Sequence, residues 1–164
     1  MDNALKVKIL DVLEHHNVMT LATIRPDGFP QATTVNYVHD DLILFFATDA
    51  ASQKAGNIKL NNKVSVAIAS ETQDLYKLRG LSLSGLATRI VDERKAHRRS
   101  LELFRKLPQS RRLVPGEPND LAVFAVTPVA IAFIDYASGG YGERHLLEPT
   151  SHDDWFEGPT GSQR

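Results

Sequence analysis

The sequence predicts a mainly β fold with flanking helices, assembled from six to seven mostly antiparallel strands. Short runs rich in Val, Ile, Thr, Leu and Phe recur along most of the chain, and several are parted by Pro, Gly or Asp turn signals. Only three segments carry the apolar spacing or composition of a helix.

Asp2 or Asn3 can cap a first helix over residues 3–15, where Leu5, Ile9, Val12 and Leu13 recur at helical spacing. Residues 18–24 favour a strand that ends at Arg25-Pro26-Asp27-Gly28, a reversal in which Pro presets one angle and Gly supplies positive φ. The returning strand covers 30–38. After the polar reversal His39-Asp40-Asp41, residues 42–47 are apolar enough for burial on both faces, giving three antiparallel strands in sequence. Residues 50–61 turn helical, with Ala51, Ala55, Ile58 and Leu60 expected inward, and 63–70 resume as a strand.

A polar link at 71–77 leads to a long strand at 78–91, in which Gly80 and Gly85 would tolerate bulges or close approach. Asp92-Glu93 opens a third helix reaching about Lys106. Three prolines and a glycine make 108–120 a mobile loop. Two more strands, 121–126 and 129–136, are expected to be split by Thr127-Pro128, because proline cannot donate to a ladder. The tail from Ser138 is Gly-rich and polar, and 158–164 should fray.

The chain has 19 Lys plus Arg against 20 Asp plus Glu, a net charge of -1. Such a balance sets up no long-range field for a polyanion, so nucleic acid is not an expected partner. The basic run from Arg94 to Arg99 is interleaved with Asp92, Glu93 and Glu102, as on the solvated face of a helix. Cysteine is absent, which removes disulfides, thiolate metal sites and a Cys nucleophile, and suits a reducing compartment. No basic leader precedes an apolar run, and no stretch approaches the ~18 apolar residues of a span, so a cytoplasmic protein with no membrane partner is expected.

The chain carries no His-Glu-x-x-His pair, Gly-x-Ser-x-Gly elbow, Walker loop or dinucleotide fingerprint. Its six histidines are scattered, so no metal site is expected. More informative is Thr48-Asp49-Ala50-Ala51-Ser52-Gln53-Lys54-Ala55, which follows a buried strand and opens a helix. Free amides at a helix start, the Thr48 and Ser52 hydroxyls and the Lys54 ammonium suit a phosphate dianion. An ordinary helix cap beside a solvated lysine would use the same residues.

Between residues 18 and 69 the order of Met-Thr-Leu-Ala-Thr, Pro-Asp-Gly-Phe-Pro-Gln, Leu-Phe-Phe-Ala-Thr, Ser-Gln-Lys-Ala-Gly-Asn-Ile and Asn-Asn-Lys-Val-Ser-Val-Ala resembles the pyridoxamine 5'-phosphate oxidase-like superfamily of FMN-binding split barrels. The likeness continues through the long strand and the Thr127-Pro128 strand pair. It implies a split β-barrel domain over residues 1–150 with a polar tail at 151–164. It also implies a homodimer with FMN at the subunit interface, and oxidoreductase chemistry in which electrons pass between flavin and a nicotinamide or other small-molecule donor.

By the same resemblance, Ser52 and Lys54 match the phosphate-binding Ser-x-Lys, and Ala47 and Thr48 match the end of the third strand. Gln31, Ala32, Thr33 and Thr34 match the segment beside the isoalloxazine ring, with Thr33 and Thr34 the best choices for polar contact. Arg79, Gly80 and Ser82 match the strand that reaches the flavin from the other subunit. Gln53 departs from the pattern: the parent oxidases usually have arginine there, a loss for which Arg79 or another basic residue could compensate. The arginine-rich substrate segment of those oxidases is not recognisable in 135–164, so vitamin oxidation is not expected. No catalytic residue is assigned; Tyr136, Tyr141, Arg144 and His145 are candidates only through a tail folded over a ligand. The same cleft in the superfamily also accommodates haem or deazaflavin, and a flavin held as a noncatalytic redox sensor is a further alternative.

Overall fold

Strand after strand alternates buried and exposed side chains, the period-two pattern of a sheet with one face on a core. It is clearest in β1 (Val18–Ile24) and β5 (Lys63–Ala69), where Met19, Leu21, Val64, Val66 and Ile68 turn inward. The computed structural model describes residues 3–70, 72, 74–109 and 120–136, without the Leu75 side chain, and the backbone of 143–147. The core of the 108–120 loop, residues 110–119, and the tail at 151–164 lie outside the described residues.

The remaining strands are β2 (Pro30–Asn36), β3 (Val38–Asp40), β4 (Ile43–Asp49), β6 (Arg79–Arg89), β7 (Leu121–Asp135) and β8 (Glu143–Leu147). All pair antiparallel in one sheet of order β2-β1-β5-β6-β7-β4-β3, with β8 added on β7. The two ends of that order, β2 and β3, are joined by Tyr37 alone. Consecutive Cα atoms lie ~3.8 Å apart, so one residue cannot span a flat sheet of this width. The sheet therefore curls until its ends meet, and β2 comes to face β4 across an unpaired seam. Tyr37 is 1% exposed, its hydroxyl donating to the Leu13 carbonyl at 2.9 Å and its amide to the Asn17 carbonyl at 3.1 Å. Burial, with a lesser push from Glu14, raises its phenol pKa, so it remains a neutral donor.

Helix α1 (Asn3–His15) packs the expected Leu5, Ile9, Val12 and Leu13 against β5 and β6. Inside the curl, the Phe46 and Phe124 rings stack with centroids 5.2 Å apart. Helix α3 (Glu93–Lys106) is capped by Asp92 and covers the outer face of β3 and β4 through Leu103, Val38 and Phe45. Arg94, Lys95, His97 and Arg98 are solvated as expected. Arg99 is not: it lies 4.1 Å above the Phe45 ring and bonds Asp40 and Glu102.

Five elements differ from the sequence expectation. The 30–38 strand breaks at Tyr37, and β4 pairs with β7 and β3 instead of β2. Helix α2 (Gln53–Leu60) starts later than residue 50, because Asp49 holds a turn: its carboxylate accepts from the Ala51 amide at 2.7 Å and its carbonyl from the Ser52 amide at 3.0 Å. Ala55 and Ile58 are buried as expected, with Asn57 beside them, whereas Ala51 and Leu60 are exposed. The two strands expected around Pro128 are one, β7, and β8 emerges from what read as a polar tail.

Pro128 is tolerated inside β7 because the strand changes partner around it. One edge of β7 pairs with β4 up to Val126 and with β8 from Ile131, so no ladder bond is demanded there between. On its other edge the register slips between Ser84 and Gly85, leaving Val129 unpaired in a bulge. A Cβ on Gly85 would stand 2.8 Å from the Thr127 carbonyl oxygen and 2.9 Å from Val126 Cγ1. Gly85→Ala is therefore expected to cost about 1–3 kcal/mol through overpacking, read as a lower urea midpoint at unchanged slope; an unaltered midpoint would show that the bulge is free to yield.

Candidate functional site

The seam between β2 and β4 is where the polar residues gather. In β4, Leu44 and Phe46 face the core, and Thr48 continues that face to the mouth of the barrel. The turn at Asp49–Ser52 then carries the chain into α2, whose N-cap Ser52 accepts from the Ala55 amide at 3.4 Å. Thr48 Oγ1 and Ser52 Oγ lie 3.1 Å apart, and Lys54 Nζ donates to Thr48 Oγ1 at 3.4 Å. Two hydroxyls and one ammonium thus converge at a helix start, all only partly buried.

A second polar group adjoins this cradle through Gln53. Gln31 on β2 donates from Nε2 to Gln53 Oε1 at 2.6 Å. Asn57 Nδ2 donates to Gln31 Oε1 at 3.1 Å and to Thr23 Oγ1 at 2.9 Å. Asn57 and Thr23 are 2% and 1% exposed, so each depends on the other to offset desolvation. Thr33 Oγ1, on the same face of β2 as Gln31, is buried with no hydrogen-bond partner among the described residues.

The predicted site residues therefore separate into groups. Thr48, Ser52 and Lys54 meet, and Gln31 meets Gln53. Ala47 lies on the opposite face of β4 from Thr48, packed against the cluster under α3. Ala32 and Thr34 point to the outer face of the sheet, away from Gln31 and Thr33. Arg79, Gly80 and Ser82 open β6, and none of their hydrogen bonds among the described residues reaches the cradle. Arg79 Nε lies 3.5 Å from the buried carboxylate of Asp135, while its amide donates to Ser70 Oγ at 3.0 Å. Of the residues named through the tail, Tyr136 donates its amide to the Leu78 carbonyl, Arg144 and His145 stand on β8 opposite Ile134 and Phe133, and Tyr141 lies outside the described residues.

Register ties Ser82 to the outer face. Thr34, Thr20, Ala67, Ser82 and Ala132 form one cross-strand row, and Ala32, Ala22, Ser65, Ser84 and Ala130 the next. Two adjoining rows on five strands thus carry only Ala, Ser and Thr. Ala22, Ser65 and Ser84 of the second row also line a cavity of about 410 Å³ that opens between the Ile24–Pro30 end of the hairpin and Gly85. It borders the amide group through Thr23 but is separate from the Lys54 cradle.

Asn57 and Thr23 were not foreseen as site residues. The available signal was the position of Asn57 one helical turn after Gln53, on the same side of the helix, which lets both amides reach Gln31.

Fold and site together define a split β-barrel with a cluster of hydroxyls, side-chain amides and one ammonium at its seam. The model of the pyridoxamine 5'-phosphate oxidase family matches residues 5–135, and the chain belongs to that family. General stress protein 26 of Bacillus subtilis (strain 168) is 33% identical over 69 residues, 42% of this chain and 49% of that protein, so the likeness spans about half the length of this relative. The crystal structure of General Stress Protein 26 from Bacillus anthracis str. Sterne, 23% identical, superposes with TM-score 0.64 over 88% of this chain and 98% of that one, a likeness of fold. A structure named F420 Reductase is 30% identical, with TM-score 0.57 over 74% of this chain and 93% of that one.

The orphaned Thr33 hydroxyl gives a direct test of what the site is built for. A buried hydroxyl without a partner costs about 1–3 kcal/mol, so Thr33→Val should leave the unfolding midpoint of the ligand-free protein unchanged or raise it. A marked drop would mean that the hydroxyl serves the fold itself.

Proposed function

We propose that the protein is an FMN-dependent oxidoreductase, a homodimer that holds flavin at the subunit interface and passes electrons between it and a nicotinamide or other small-molecule donor. The observation that carries this reading is the convergence of Thr48, Ser52 and Lys54 at the start of α2. Hydroxyl and amide donors with one ammonium match a phosphate monoester, which accepts several hydrogen bonds and is stabilised at a helix N-terminus. Thr33 Oγ1 adds an unused polar atom on the strand beside the cradle, as a ring with acceptors and donors on one edge would need.

FMN, when bound, supplies the redox chemistry. The chain's own residues would bind and orient it: Lys54 and Ser52 hold the phosphate, and Thr33 faces the ring. The two rows of Ala, Ser and Thr support the dimer, since short side chains let a second sheet face approach closely over a broad surface. Arg79, Gly80 and Ser82 lie on the strand carrying those rows, where they would serve the partner's flavin instead of the cradle in their own chain. Arg79 is held by Asp135, yet its side chain is 49% exposed, which leaves nitrogen donors for a ligand.

A second reading, deazaflavin in the same cleft, is favoured by the 30% identity to F420 Reductase. Titration separates the two. Lys54→Ala should weaken FMN binding by about 1–3 kcal/mol through loss of a charge-assisted contact, with the thermal midpoint of the ligand-free protein unchanged. Equal FMN affinity in the folded variant would remove Lys54 from the site, and tight deazaflavin binding with no FMN uptake would favour the second reading.

A further inference from the structure

We infer that Asn57 is a positioning residue whose buried amide sets the direction of a hydrogen-bond relay, Asn57 to Gln31 to Gln53, so that Gln53 presents an N–H donor to the ligand's phosphate. The inference rests on the reading of the Lys54 cradle as that phosphate's site. It explains how a neutral side chain works at position 53.

The relay is built from three side-chain amides, each of which can be turned end for end at almost no cost in shape. In the direction the structure shows, the innermost member commits the other two. Asn57 spends both hydrogens of Nδ2, one on Thr23 Oγ1 and one on Gln31 Oε1. With its oxygen so occupied, Gln31 must lead with Nε2, and it donates to Gln53 Oε1 at 2.6 Å. The oxygen of Gln53 is thereby turned toward Gln31, and its NH₂ group takes no part in the relay, on the residue that stands between Ser52 and Lys54 in the sequence. Reversal would turn the carbonyl oxygen of Gln53 outward, and an acceptor facing a phosphate is repelled.

Burial makes this control effective. Asn57 is 2% exposed and Thr23 1%, so water does not compete for their bond, whereas Gln53 at the outer end is exposed and takes its direction from within. The relay predicts a particular selectivity: it favours FMN, which has the phosphate, and is indifferent to riboflavin, which lacks it.

The test is a double-mutant cycle on the full-length protein, with FMN and riboflavin titrated separately into wild type, Asn57→Leu, Gln53→Leu and the double variant, and a thermal melt of each. Asn57→Leu should lower the preference for FMN over riboflavin about tenfold or more, the worth of one hydrogen bond to a charged group. Gln53→Leu should do the same, and adding Asn57→Leu to it should change the preference no further. An Asn57→Leu protein that loses both ligands equally, or the same loss of preference in both backgrounds, would make Asn57 merely structural and overturn the inference. Because Gln53 is exposed, the single Gln53→Leu variant is expected to keep the fold; an unchanged preference there refutes the relay by itself. Wild type that binds no FMN would remove the cradle reading, and this inference with it. FMN binding that falls in Lys54→Ala but is untouched by the relay variants would remove the inference alone.

Discussion

A single residue, Tyr37, connects the two ends of the sheet order, and the rest of the architecture follows from that short link. The ends must meet, so the sheet curls, encloses the apolar faces of its strands and leaves a seam where β2 and β4 face each other without a ladder between them. Tyr37 is held by backbone acceptors on both sides, Leu13 in α1 and Asn17 after it. Lys106, from the end of α3, donates to the His16 carbonyl and lies 5.2 Å from the same ring. Three elements distant in sequence thus converge on the point of closure.

The seam is where a closed barrel would have been completed by main-chain bonds, and here side chains take their place. Asn57, Gln31 and Gln53 bridge from α2 to β2, while Thr48, Ser52 and Lys54 bridge from β4 to α2. Side-chain bridges are short, polar and replaceable, so a ligand can exchange for them at modest cost, which backbone ladders would not permit. The same curl turns the small side chains of β1, β2, β5, β6 and β7 outward as a nearly uniform surface. One constraint therefore produces both a polar seam and an outer face of small side chains.

Local patterns in the sequence specify several elements directly. The four apolar positions of α1 follow from helical spacing alone, and Arg25–Gly28 turns the hairpin, with Gly28 at φ 86. Thr48, Ser52 and Lys54 were legible because they lie within one turn and the start of one helix. Nonlocal features were not. No local pattern states that β4 will pair with β7, and Pro128 looked like a strand break because the change of partner beside it depends on β4 and β8 together. Asn57 is illegible for a related reason: an Asn on a short helix reads as solvated until the packing of α2 on β1 places its amide against Thr23. Gln53 read as a lost charge, whereas the structure pairs it with Gln31.

The most direct test of an FMN-binding role is the visible absorption spectrum of protein purified without added cofactor, repeated after loading with FMN and removal of the excess. Paired flavin bands retained at equimolar FMN and chain are the expected result. A sharp haem band in the purified protein, or no chromophore kept after loading, would contradict it.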